Sequence, residues 1–128
     1  MPARTFGKGR LEKTFGIYSR NIELLAASAM AVLLLHWLIL LWFVLSRIGQ
    51  LEFLRLHYTV TLGIDWIDSW WKIFVFPAFG LGVFLLNGLI AGVLAPGNKI
   101  FSSLIYGITV FLQVIFAIGG LMAILLNG

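Results

Sequence analysis

LLAASAMAVLLLHWLILLWFVLS, residues 24–46, contains no Lys, Arg, Asp or Glu. A helix rises about 1.5 Å per residue, so roughly 20 apolar residues cross the ~30 Å hydrocarbon core of a bilayer. This run is long enough to span. Two others match it, 73–95 (IFVFPAFGLGVFLLNGLIAGVLA) and 100–126 (IFSSLIYGITVFLQVIFAIGGLMAILL), again without a charged side chain. Backbone in lipid must satisfy its own hydrogen bonds, so each run is expected as a helix. The expected fold class is all-α transmembrane: a three-helix membrane protein with a short extracytoplasmic β-like loop at 47–72 and a tight turn at 96–99. With 128 residues, 61% hydrophobic and 11% charged, the chain leaves no room for a separate soluble core.

Charge gives the orientation. Arg4, Lys8, Arg10, Lys13 and Arg20 precede the first run and Lys99 follows the second, six basic residues against Arg47, Arg55 and Lys72 in the long loop. The excess of Lys and Arg stays inside, which predicts a cytoplasmic N-terminus (residues 1–23) and turn. The first run is too long for a cleavable signal, and its small residues Ala26, Ala27, Ser28 and Ala29 stand at its start, so it reads as an uncleaved anchor. A short interfacial helix is expected from about Leu11, because Leu11, Phe15 and Tyr18 share a face. The net charge of +4 reads as topology and contact with the lipid bilayer; nucleic acid is not an expected partner. The absence of cysteine excludes disulfides, thiolate metal sites and cysteine nucleophiles.

Within the loop, LRLHYTVTLGID (54–65) alternates apolar and polar residues, with Thr59, Val60 and Thr61 β-branched in a row. This predicts a strand over 54–62 with Leu54, Leu56, Tyr58, Val60 and Leu62 on one face, the last four buried, and Arg55, His57, Thr59 and Thr61 exposed. A lone strand leaves backbone groups unpaired, so it requires Leu51–Phe53 folding back, a second copy, or another protein's edge. Leu56, His57, Tyr58, Val60, Leu62 and Asp65 are the expected partner-binding residues. Asp68 is placed to cap helix 2, and Trp66, Trp70, Trp71 and Trp42 form an expected interfacial belt.

The order Leu56-His57-Tyr58, Gly63, Asp65, a tryptophan pair, Lys72 and Pro77 resembles a small bacterial membrane-domain family of unknown function. In that family a proline-apolar-His-aromatic-Asn segment, then Gly and Asp, lies between two spans; the domain also occurs in an immunity protein against a secreted toxin peptide. Arg55 stands here where the proline is usual and Thr59 where the asparagine is usual. The resemblance covers about 25 residues. It implies a bacterial cytoplasmic-membrane protein whose extracytoplasmic loop is the characteristic element, and no enzymatic role.

Three polar side chains fall inside the spans: His36, Asn87 and Gln113. At 1.5 Å per residue His36 lies roughly 18 Å and Gln113 roughly 20 Å from the cytoplasmic ends, with Asn87 about 12 Å in. His36, uncharged, and Gln113 are therefore expected to face each other and hydrogen-bond as interhelical glue. A proton or substrate path would usually recruit an intramembrane acid, and the spans have none. Gly88 and Gly92 form a GxxxG with Gly80 on the same row, expected to pack helices; Ser103, Gly107, Gly119, Gly120 and Ala123 offer similar faces on helix 3. Pro77 is expected to kink helix 2. His57, Asp65 and Asp68 could approach a metal, but a solvated loop is the preferred reading. No catalytic set, metal centre or cofactor is expected.

These features predict a small accessory or interaction protein that binds a protein partner through its loop and strand. The alternative is a homo-oligomeric channel or transporter built on the polar layer of His36, Asn87 and Gln113.

Overall fold

A computed structural model of the chain describes residues 8–94 and 96–128, and the side chains of residues 20–94 and 96–128. The expected face of Leu11, Phe15 and Tyr18 lies outside the described side chains. So does most of the basic N-terminal segment, of which residues 1–7 lie outside the described residues altogether.

Helix α1 runs unbroken over Lys8–Ser46, so the expected interfacial helix and the first span are one element. Strands β1 (Phe53–Thr59) and β2 (Gly63–Ser69) follow, then a 3-10 turn (Trp70–Phe74), α2 (Val75–Leu94) and α3 (Lys99–Asn127). Arg20–Ser46, Trp70–Leu94 and Lys99–Asn127 are long and apolar enough to cross a membrane. The chain thus has the makings of a multi-pass membrane protein.

The helices meet along narrow seams. Among the described side chains of α1 the buried ones are Ala29, Leu33, His36, Leu40, Phe43 and Val44. That spacing of three and four residues makes a stripe along one side of a helix. In α3 they are Ile105, Thr109, Gln113, Gly120 and Ala123. Many other large side chains, such as Leu38, Leu85 and Phe111, face outward and are exposed, as expected where lipid is the solvent.

The turn at Pro96-Gly97-Asn98 joins α2 to α3. Gly97 takes φ +83, a left-handed conformation costly for residues with a Cβ. Asn98 caps α3, its Oδ1 accepting from the Phe101 N–H at 3.1 Å. At the other end, Pro77 lies in the first turn of α2, where no intrahelical N–H is required. Pro77 therefore breaks no hydrogen bond inside α2, which runs on as one α-helix from Val75 to Leu94, so the kink expected at Pro77 has no broken bond to cause it. Asp68 does not cap α2: its carboxylate accepts from its neighbour Ser69 N–H at 2.8 Å and from Lys72.

The β-like loop is a two-stranded antiparallel hairpin, paired from Phe53↔Ser69 to Thr59↔Gly63 with irregular register around His57. The strand's missing partner is therefore residues 63–69, not Leu51–Phe53. Strand β1 ends at Thr59 and residues 60–62 form the turn, closed by Gly63 at φ +74 and by Thr59 Oγ1 accepting from the Leu62 N–H. Leu54 and Leu56 are buried against Leu40, Phe43, Val44, Ile73 and Ala123, where the hairpin base meets the helix ends.

Candidate functional site

The expected buried face of the strand breaks after two residues. Leu54 and Leu56 are buried, but Tyr58 is 53% exposed, Leu62 77% and Val60 92%. The expectation that Tyr58, Val60 and Leu62 are buried is overturned. The physical reason is reach: the helix ends enclose Leu54 and Leu56, cover Tyr58 on one side only, and leave the turn at residues 60–62 uncovered. The result is a buried base and an apolar tip formed by Tyr58, Val60, Leu62 and Ile64.

The motif residues of this segment are physically linked. His57 Nδ1 and Asp65 Oδ1 are 2.7 Å apart, a cross-strand pair on the exposed side of the hairpin. Gly63 supplies the positive φ that lets the two strands turn. Asp68 serves a separate pair with Lys72, and its Oδ2 also accepts from Trp66 Nε1 at 3.4 Å. The Lys72 hydrogen bond, then the Ser69 N–H, holds the Asp68 carboxyl below its ordinary value. His57, Asp65 and Asp68 therefore belong to two ion pairs and do not converge. Among the described residues no three His, Cys, Asp or Glu side chains group as metal ligands.

The tryptophans divide. Trp42 and Trp71 are exposed, as interfacial anchors would be. Trp66 and Trp70 pack against the core at the hairpin base, and Trp66 sits 6.3 Å from the Phe76 ring.

Inside the bundle, His36 and Gln113 do not pair. His36 is 3% exposed and Gln113 fully buried, yet both imidazole nitrogens and Gln113 Oε1 lack a hydrogen-bond partner. Gln113 instead donates through Nε2 to the Gly80 carbonyl at 2.7 Å. His36 faces Gly120, where a Cβ would stand 2.2 Å from Nε2. Gly120 is seven residues beyond Gln113, roughly two turns or 10 Å along α3, which is why the depth argument from helix ends failed. Asn87 donates to Thr109 Oγ1 at 2.8 Å, and Thr109 donates to its own Ile105 carbonyl. Thr109 was missed in the sequence because a threonine can satisfy itself within a helix and gives no polar signal of its own.

Of the three glycines expected to pack helices, only Gly80 is closely approached. A Cβ there would meet Gln113 Oε1 at 2.6 Å, one at Gly88 would make ordinary contact with Tyr106, and one at Gly92 would meet nothing. The close approaches on α3 are at Gly119 and Gly120. Comparisons with protein-family models, curated proteins and solved structures find no match.

Proposed function

We infer that the chain is a small integral protein of the bacterial cytoplasmic membrane, N-terminus inside, that binds a protein partner through its hairpin tip. The observation that carries this reading is the contrast within one strand. Leu54 and Leu56 fix the hairpin base, while Tyr58, Val60 and Leu62 expose large apolar surface at its end. Apolar residues clustered on an exposed projection mark a contact surface. The bacterial setting rests on the resemblance carried by Leu56-His57-Tyr58, Gly63 and Asp65, and the orientation on the six-to-three charge bias.

The homo-oligomeric channel or transporter is the weaker reading. His36 and Gln113 are buried by the chain's own helices, so they cannot line a pore between copies without α1 and α3 parting.

A photoreactive benzophenone residue at Val60, with one at Phe79 as control, tests the proposal in intact membranes. A discrete crosslinked protein at Val60 and none at Phe79 is expected. Adducts to lipid alone, or a ladder of the chain with itself, would refute it. A cysteine replacing Thr61 should label from outside and one replacing Gly9 should not; the reverse would invert the topology.

A further inference from the structure

Beneath the hairpin lies a groove of about 270 Å³, lined by His57 and Tyr58 of β1, Phe76 of α2, and Gly119, Met122 and Leu126 of α3. Its α3 wall follows from spacing: residues 119, 122 and 126 share one helix face. Gly119 lets the Phe76 ring pack directly on α3 and form that wall of the groove, since a Cβ there would come 3.0 Å from the ring. Both helical walls belong to segments apolar enough to span a membrane.

We propose that this groove holds one acyl chain of a membrane phospholipid, from the leaflet on the hairpin side. Four of the six lining residues offer no polar side-chain atom, so ordered water has few partners there. The groove lies between the hairpin-side ends of two spanning segments, where the apolar material in reach is lipid. Its polar residues, His57 and Tyr58, come from the hairpin alone, so one wall is polar and the others apolar. That matches a chain that ends in a glycerol ester and headgroup. His57 is half-exposed and bonded to Asp65 through Nδ1, which leaves Nε2 outside that bond as a contact for the ester or phosphate. This site shares Tyr58 with the hairpin tip but neither Val60 nor Leu62, and its occupancy is read on the purified chain with no protein partner present.

The test uses the full chain purified in mild detergent, incubated with palmitoyl-oleoyl phosphatidylglycerol and examined by native mass spectrometry. Met122→Trp fills the groove from an exposed position, and Leu121→Trp adds the same bulk to the neighbouring exposed position of α3, outside the groove lining. Wild type and Leu121→Trp should each retain one lipid at low lipid excess, and Met122→Trp should lose retention at least five-fold with an unchanged melting temperature. Equal retention in Met122→Trp and Leu121→Trp, or none in wild type, would overturn the proposal.

Discussion

The side-chain amide of Asn127 pairs with both backbone groups of Arg55: the Arg55 N–H donates to Oδ1 at 3.0 Å and Nδ2 donates to the Arg55 carbonyl at 2.7 Å. In an antiparallel ladder alternate residues turn their N–H and C=O away from the partner strand. At Arg55 one amide from the last turn of α3 takes both. Asn127 is also held from the end of α1, because Nη1 of Arg47, the residue after that helix, donates to the Asn127 carbonyl at 2.6 Å. A cation at a helix C-terminus is favourable against the helix dipole. Hairpin, α1 and α3 are thereby tied at one point.

Replacing Asn127 with Ala should loosen the hairpin from α3 without unfolding the spans. Two hydrogen bonds at a partly wet site are worth about 1–2 kcal/mol together. Amide exchange of β1 should accelerate while the centre of α3 is unchanged; an unaltered β1 would show that Leu54 and Leu56 suffice to hold the hairpin.

His36→Leu should be neutral or stabilising, because no partner is lost and two unpaired buried nitrogens are removed, a change of about 1–3 kcal/mol. Gly120→Ala should destabilise by about 1–3 kcal/mol through overpacking, and His36→Ala in the same chain should restore much of the loss. Thermal denaturation in detergent of the two single variants and the pair checks this. Strict additivity would mean that the two residues do not touch.

Gly80→Ala should lower the melting temperature, whereas Gly88→Ala and Gly92→Ala should leave it nearly unchanged or slightly raised. The first must displace the Gln113 amide and the others meet open space or ordinary contact. A large loss at Gly92 would indicate a helix contact with another chain.

The junction of the hairpin and α2 should be acid-sensitive. Asp68 is held below its ordinary value mainly by Lys72, so its contribution is fully present above the unfolded carboxylate value near about 3.9 and is lost as pH falls through the lower folded value. Asp68→Asn should flatten the dependence of melting temperature on pH below about 4. An identical acid limb in wild type and variant would assign it to other carboxylates.

The sequence by itself determined the three helices. Uncharged runs such as 24–46 have one way to cross lipid, and that constraint is local to each segment. It also determined the extended character of the segment from Leu54 and the turn at Pro96-Gly97-Asn98, where backbone chemistry is local. It could not determine which side of each helix faces the others. Leu33 and Leu34 are equally apolar, yet one is buried and the other exposed, and a membrane helix carries no polar face to reveal the difference. The pairing of His36 with Gly120, of Gln113 with Gly80, and of Asn127 with Arg55 depends on how far each helix slides along its neighbour. Residues 54–62 show the same limit: their alternation describes a strand with two faces, but only packing decided that the helix ends bury Leu56 and leave Tyr58 half-exposed. Burial is fixed by what lies opposite, and that is a property of the assembled chain.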